Sequence, residues 1–164
     1  MNRDTLVAWL DDAYAMEMQL LPVLRRQATL ASDRPEAQAR IETHIDETLN
    51  HAERLRQALQ GLGNTPTKLR TGLALVMGAG EKLPDGMLSD ESLNNAIMGY
   101  ATEQYEVAAY TALIAGAEQA GEVEVARLCR LNRGEDEEMA EWLDAQIPIL
   151  IEHRTQKPPS PASW

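Results

Sequence analysis

The stretch HIDETLNH, residues 44–51, contains two of the chain's three histidines together with two acidic side chains. At about 100° per residue, a helix would place His44, Glu47 and His51 within a narrow arc of one face. Imidazole and carboxylate groups gathered on one face are suitable ligands for iron and manganese. An exposed helix can show the same pattern on its polar face, so the stretch alone does not decide between a metal site and a solvated surface.

Carboxylates interrupt the other apolar segments at corresponding places. Glu17 breaks the apolar seam of DDAYAMEMQLL, and Glu103 and Glu106 lie one helical turn apart among tyrosines and alanines in GYATEQYEVAAY. Glu47 follows Glu17 by 30 residues and Glu135 follows Glu103 by 32, so the chain reads as two related halves. A buried carboxylate is costly unless it is paired or coordinated. Carboxylates from four helices at one level of a bundle can form a dinuclear metal site.

These residues predict a site for two iron ions, or for manganese or a mixed pair, which lie about 3.5–4 Å apart when bridged. Other interpretations stay open for single members. His44 or His51 alone can equally be an outer hydrogen-bond partner, and Glu138 with its neighbour Glu137 also suits a solvated acidic face. The candidate metal ligands come from all four predicted helices: Glu17, His44, Glu47, His51, Glu103, Glu106, Glu135 and Glu138.

Four helices are needed to position these side chains. Alanine, leucine, glutamate, glutamine, methionine and arginine dominate the composition, phenylalanine is absent and β-branched residues are sparse, which favours an all-α fold. Helices are predicted over about residues 4–32, 35–59, from a Ser89 cap to 118, and 122–154. Pro22 should kink the first helix or open one of its backbone hydrogen bonds. Pro35 suits the first turn of the second helix, and the fourth could bend or end early at Gly134 or Pro148.

The connections predict how the helices are arranged. Tight loops join the first helix to the second and the third to the fourth, whereas a Gly-rich connection with one short helix, residues 65–89, joins the two pairs. One long crossover between two hairpins is the connectivity of a ferritin-like four-helix bundle. Residues 1–155 are therefore predicted to form one bundle, and residues 156–164, which are rich in proline and serine, a flexible tail.

Charge and cysteine content restrict the expected partners and location. With 26 acidic against 15 basic residues the formal charge is -11, so neither nucleic acid nor a membrane is expected as a partner. The N-terminus lacks the apolar run of a signal peptide, and a cytoplasmic protein is expected. Cys129 cannot form an internal disulfide and, close to Leu128 and Leu131, is expected in the core. The amphipathic helix faces favour a homodimer.

Four segments resemble the YciE/YciF-like branch of the ferritin-like superfamily: DDAYAMEMQ, RIETHIDETLNHAERLRQALQGLG, GYATEQYEVAAYTALIAGAEQAGE and EDEEMAEWL. The resemblance covers about residues 6–154. Gln104 stands where the family usually has histidine, and His51, where glutamine is common, could replace that imidazole. Glu138 stands where the family often has alanine. The family's recurring polar positions fall on Glu17, His44, Glu47, Glu103, Glu106 and Glu135, with Asp136 beside the last.

The resemblance implies a di-metal carboxylate protein whose reduced metals react with peroxide or oxygen in a protective, stress-response role. Whether it is an enzyme is left open. The alternative is a non-catalytic helical-bundle stress protein that acts through protein–protein interaction, has an inward hydrogen-bonded network and does not respond to a chelator. Iron storage in a cage is disfavoured, because the sequence offers no obvious nucleation patch. The roles expected of the ligands are bridging or chelation for Glu47 and Glu135, terminal binding for Glu17 and Glu103, and completion of a metal's shell for His44 or His51.

Overall fold

The computed structural model describes residues 1–67 and 90–156, and the side chains up to residue 152. Within those ranges the chain is helical and contains no strand, which confirms the predicted all-α class. The four predicted helices are all present. They are α1 (Arg3–Leu30), α2 (Pro35–Gly61), α3 (Glu91–Ala120) and α4 (Val123–Gln156).

The helix ends follow local capping chemistry. Pro35 occupies the first turn of α2, where its missing N–H has no helical partner to lose. Gly121 ends α3 in the left-handed conformation, with φ 76°. The predicted Ser89 cap is wrong, because Asp90 is the N-cap residue: its carboxylate accepts a hydrogen bond from the Leu93 N–H at 3.0 Å.

Two helices continue through a proline. Pro22 lies inside α1 and Pro148 inside α4, so α4 does not end early at Pro148 or at Gly134 but extends to Gln156. A proline inside a helix removes one backbone donor and leaves the carbonyl four residues earlier without its helical partner. Because both prolines are exposed, water can solvate that carbonyl.

Ion pairs at both ends of α1 define the helix directions. Arg3 lies 3.8 Å from Glu122, which follows α3, and Arg26 lies 3.6 Å from Glu91 at the start of α3, so α1 and α3 are antiparallel. The short connections make α1 antiparallel to α2, and α3 antiparallel to α4. Therefore α2 and α3 run parallel, and the end of α2 and the start of α3 lie at opposite ends of the bundle. The connection between them must span about 40 Å, the length of the 27-residue helix α2. This confirms the crossover connection, although the short helix predicted within it lies outside the described residues.

Two apolar clusters fill the ends of the bundle. One contains Leu6, Leu10, Leu59 and Cys129, and the other contains Met139. The predicted core position of Cys129 is confirmed, and burial raises the pKa of its thiol to about 12. No helix in the described ranges combines the length and apolar character needed to cross a bilayer. Between the two clusters the bundle contains a level of buried polar side chains, to which every helix contributes.

Candidate metal centre

Six ionisable side chains form the centre of this polar level. Each is at most 3% exposed, although four are carboxylic acids and two are imidazoles. Groups of this kind are almost never fully buried unless they are paired with other charges or with a metal. The six, called the buried cluster below, are Glu17 from α1, His44 and His51 from α2, Glu103 and Glu106 from α3, and Asp136 from α4.

His44 defines one half of the buried cluster. Its Nε2 lies 3.2 Å from Glu103 Oε1, and its Nδ1 lies 2.9 Å from Glu47 Oε2 on the outer side of the ring. One ligand atom each from His44, Glu103 and Asp136 can be chosen so that all three lie within 4.8 Å of one another. This spacing suits three ligands around one cation.

His51 defines the other half. Its Nδ1 lies 3.4 Å from Glu17 Oε2 and 3.5 Å from Asp136 Oδ1, whereas its Nε2 lies 2.8 Å from Glu135 Oε2 on the outer side. The two histidine rings are 6.4 Å apart between centroids. Asp136 is therefore shared by the two halves of the buried cluster.

Five buried carboxylate oxygens find no hydrogen-bond donor among the residues that the structure describes. They are Oε2 of Glu17, Glu103 and Glu106 and both oxygens of Asp136. Burying such an oxygen without a donor is unfavourable by about 1–3 kcal/mol, and more when the group is charged. Cations bound within the buried cluster would offset this cost. The donor set, oxygen and imidazole without thiolate, suits iron or manganese better than a structural zinc site, so the residues fit the predicted metals.

The carboxylates hold the imidazoles in their charged form. Burial alone would lower the pKa of His44, but hydrogen bonds to Glu103 and Glu47 outweigh it and raise that pKa to about 9. Burial likewise opposes protonation of His51, but its hydrogen bond to Glu135 and the Glu17 carboxylate 3.4 Å from its Nδ1 raise its pKa to about 10. Both histidines are therefore cationic at neutral pH while no metal is bound.

Two of the buried acids have raised pKa values, whereas an ordinary ion-paired carboxylate has a lowered one. Burial, followed by the charges of Glu17, Asp136 and Glu103, raises the pKa of Glu106 well above its usual value. Burial also raises the pKa of Asp136, with Glu17 and Glu103 adding to the effect and the two histidines opposing it. Both acids therefore hold a proton more strongly in the buried cluster than they would in water.

Arginines hold two glutamates on the outer side of the histidines. Arg40 lies 3.0 Å from Glu47 Oε2, and Arg54 makes two bonds to Glu135 at 2.6 and 3.0 Å. His44 and then Arg40 lower the pKa of Glu47. Burial opposes ionisation of Glu135, but His51 and Arg54 lower its pKa to about 2. These two glutamates were predicted to bridge or chelate the metals, and the structure places them beyond the imidazoles, each paired with an arginine.

Two further buried residues orient the cluster. The Tyr110 hydroxyl donates a short hydrogen bond to Glu17 Oε1, and Asn132 Nδ2 donates to that hydroxyl at 2.9 Å. Asn132 also accepts a bond from Arg54 at 3.1 Å. The sequence analysis missed both residues, although each lies one helical turn from a cluster carboxylate: Tyr110 follows Glu106 by four residues, and Asn132 precedes Asp136 by four.

The predicted ligands fall into three groups in the structure. Five of them, Glu17, His44, His51, Glu103 and Glu106, meet in the buried cluster. Glu47 and Glu135 lie at its edge, and Glu138 is exposed and outside it. Asp136 is the α4 carboxylate that faces inward. Glu138 follows it by two residues, which is a rotation of about 200° around the helix axis, so Glu138 faces outward.

The bundle, with its crossover connection and its buried carboxylate–histidine level, has the ferritin-like fold. A bacterioferritin of Desulfovibrio desulfuricans superposes with a TM-score of 0.75, covering 93% of this chain and 85% of that chain at 17% sequence identity. This likeness shows the fold and confirms the predicted four-helix architecture.

The chain belongs to the family described as Domain of unknown function (DUF892), which matches residues 1–156. A Xanthomonas campestris protein of known structure is 32% identical, with a TM-score of 0.75 over 94% of this chain and 98% of that chain. Protein YciF of Escherichia coli K12 is 28% identical over 131 residues, 77% of this chain and 78% of its own. The crystal structure of YciF, described as a stress protein, superposes with a TM-score of 0.68 over 94% of this chain and 97% of that chain at 23% identity. The predicted YciE/YciF-like membership is confirmed.

Proposed function

We propose that this chain is a ferritin-like di-metal carboxylate protein that binds two iron ions, or manganese or a mixed pair, and reacts with peroxide or oxygen in a stress response. The observation that carries the proposal is the set of five buried carboxylate oxygens without a donor among the described residues. Two divalent cations would carry four positive charges, which equals the charge of the four buried carboxylates when all are ionised.

The geometry supports a division of the ligands between two positions. His44 and Glu103 would hold one ion, Glu17 and His51 would hold the other, and Asp136, which lies near both histidines, would serve both. Asp136 would then take the bridging role that was expected of Glu47 and Glu135. Glu106, which is buried and whose pKa is raised by burial and by the charges of the other three acids, would supply a further oxygen.

The chain's own groups keep this site ordered and dry. When bound, such metals supply redox chemistry and Lewis acidity towards peroxide or oxygen. Tyr110 fixes Glu17 through one carboxylate oxygen, which leaves Oε2 directed away from that bond. The outer glutamates hold the imidazoles through the ring nitrogen opposite the cluster, Glu47 for His44 and Glu135 for His51. The apolar clusters on both sides exclude bulk water.

The relatives support the proposal by their descriptions. The Desulfovibrio protein is described as having a diiron site in different catalytic states, and YciF is described as a stress protein. Our proposal transfers a dinuclear site and a stress role from these proteins to this chain. The homodimer and the cytoplasmic location stay predictions from the sequence.

A non-catalytic binding protein is the second candidate, and one observation favours it. Both histidines already have carboxylate partners on their two ring nitrogens, and the outer glutamates are completed by Arg40 and Arg54. A network of this kind can hold a bundle together without metal. In that case the protein would act through protein–protein interaction, and the buried cluster would be purely structural.

Metal content per chain distinguishes the two candidates. Untagged protein would be produced in medium supplemented with iron and manganese and analysed for both elements, alongside the variants Glu103→Gln and Asp136→Asn. Glu138→Gln is the matched control, because Glu138 lies on the same helix as Asp136 but is exposed. We expect about two ions per chain in the wild type and the control, and loss of metal in both cluster variants. Substoichiometric metal that is unchanged by the cluster substitutions would leave the binding protein as the better account.

Reaction with an oxidant is tested separately on loaded protein. Anaerobically iron-loaded wild type should consume hydrogen peroxide faster than the same amount of iron with the Glu103→Gln variant. Equal rates would show that the bound metal does not react at this site, and the redox part of the proposal would fall even if metal is bound.

A further inference from the structure

A small cavity lies between α1 and α3 and reaches the buried cluster. Its volume is about 30 Å³, and Glu103 forms part of its wall. Val23 and Gln27 on α1 and Met98 and Gly99 on α3, which also line it, are only half-buried. The cavity, called the Glu103 cavity below, therefore connects partly exposed residues to a side chain that is 3% exposed.

Glu103, which lines this cavity, has one unsatisfied carboxylate oxygen. Glu103 Oε1 lies 3.2 Å from His44, whereas Glu103 Oε2 is buried and has no hydrogen bond in the described part of the chain. Met139, which is 2% exposed, also lines this cavity. A molecule that enters between Val23 and Gly99 would thus reach the side chains of Met139 and Glu103.

Its size and lining restrict what can pass. A water molecule requires about 10–15 Å³ of such volume, so a cavity of about 30 Å³ accommodates one molecule of two heavy atoms. The wall is mostly apolar, since leucine, valine and methionine side chains and the backbone of Gly99 contribute most of it. A hydrated cation or an anion would lose its solvation shell there without replacement.

The larger groove near Trp9 and Tyr105 does not offer the same access. It measures about 370 Å³, but the residues that line it in the described part of the chain include none of the buried cluster. A third cavity, of about 40 Å³, shares Gln27, Met139 and Leu143 with the Glu103 cavity but contains no cluster residue. Of these three, only the Glu103 cavity touches a candidate ligand.

We propose that the Glu103 cavity admits a small uncharged oxidant, hydrogen peroxide or dioxygen, to the buried cluster and excludes larger hydroperoxides. That the buried cluster reacts with the oxidant rests on the proposed function. The access route itself does not, because it can be measured in metal-free protein.

Methionine oxidation provides the measurement. A peroxide transfers one oxygen atom to the methionine sulfur, giving methionine sulfoxide and water, or tert-butanol when the reagent is tert-butyl hydroperoxide. Metal-free protein would be treated with each reagent, and sulfoxide formation at Met98 and Met139 followed by peptide mass spectrometry. Half-buried Met98 serves as the internal reference for buried Met139. We expect hydrogen peroxide to oxidise both residues and tert-butyl hydroperoxide to oxidise Met98 alone.

A glycine substitution tests the route directly. A Cβ added at Gly99 would lie 3.2 Å from Leu143 Cδ1, which lines the same cavity, so Gly99→Val should narrow it. Gly134→Val is the matched control, because a Cβ at Gly134 meets nothing within 4 Å. The ratio of Met139 to Met98 oxidation by hydrogen peroxide should fall several-fold in Gly99→Val and stay at the wild-type value in Gly134→Val. Thermal unfolding of both variants would verify that each is folded.

Three outcomes would overturn the proposal. They are an absence of Met139 oxidation by hydrogen peroxide in the wild type, equal access of the bulky reagent to Met139, and a ratio that Gly99→Val leaves unchanged. An unchanged ratio in Gly99→Val would mean that hydrogen peroxide reaches Met139 through the neighbouring cavity or when the bundle opens. Metal analysis of the same proteins separates the two proposals: a metal-free wild type would overturn the proposed function without altering the Met139 result.

Discussion

Metal binding to the buried cluster should release protons, and their number can be worked out from the structure. The pKa values of His44 and His51, about 9 and about 10, mean that both imidazoles are protonated at pH 7 while no metal is bound. A ring nitrogen that binds a metal must first lose its proton. If both histidines become ligands, two protons leave. Glu106 and Asp136, whose pKa values burial raises well above normal, can contribute one more each.

We therefore expect between two and four protons to be released per chain at pH 7. The sign of the pH dependence follows. Protons compete with the metal, so the apparent affinity should rise with pH, by about tenfold per pH unit for each proton released. The rise should flatten above the pKa values of the two histidines, where no imidazole proton remains to be displaced.

Isothermal titration calorimetry measures the number directly. Manganese(II) would be titrated into metal-free protein in several buffers of different ionisation enthalpy, and the slope of the observed enthalpy against that quantity gives the protons released. The exposed Glu138→Gln variant should give the wild-type slope. A slope below one proton per chain, with manganese bound, would refute the reasoning, because neither histidine could then be both protonated beforehand and a ligand afterwards.

Three further predictions concern stability, each measured by urea unfolding of metal-free protein. The pKa values of His44 and His51 in the folded protein exceed the unfolded value of 6.5, so their contribution to stability is complete below pH 6.5 and is lost as the pH rises through about 9 to 10. The free energy of unfolding should therefore fall across that window. A flat profile would contradict this prediction. The Arg54→Gln variant should lower the free energy of unfolding by about 1–3 kcal/mol, because Glu135 and Asn132 lose hydrogen-bond donors. Arg56→Gln, which removes an exposed pair, should change it little, and equal effects would show that burial does not matter. Removing the N-cap of α3 with Asp90→Ala should lower the free energy of unfolding by about 1 kcal/mol. An unchanged free energy would mean that the cap hydrogen bond does not contribute to stability.

The helices and several cluster residues were predictable because they depend on local periodicity. Glu17 occupies a position three or four residues from buried apolar side chains on both sides, so a continuous inward face of α1 must contain it. His44 and His51 follow the same rule on α2, seven residues apart around buried Thr48. Any helix packed on that face would bury all of them.

The structure turns Asp136 inward where the sequence suggested Glu135 and Glu138, because consecutive acidic residues compete for one inward position. Residues 135–138 are all acidic, and composition does not show which of them faces the core. The spacing of buried Asn132, Met139 and Leu143 indicates Asp136, since it lies on their seam, and this signal was in the sequence. The arginine pairs were not predictable in the same way. Arg54 contacts Glu135 across 81 residues, so the pair depends on α2 and α4 being neighbours.

Charge balance would allow one fold to serve both an empty and a metal-loaded state. Six carboxylates lie in or beside the buried cluster, together with Arg40 and Arg54. In the empty state, the protonated histidines offset part of the carboxylate charge, and burial raises the pKa of Glu106 and Asp136. Divalent cations that bound in exchange for protons would offset the same carboxylate charge.

This balance makes a last prediction. Chelation should lower the melting temperature, because binding to the folded state is lost, but helix content well below the transition should stay unchanged by far-ultraviolet circular dichroism. The Arg40 and Arg54 pairs and the protonated histidines would then suffice to hold the four helices at this level. Loss of helix on chelation at low temperature would show instead that protons cannot replace the metal charge. The fold would then depend on metal, and the empty state would be partly unfolded.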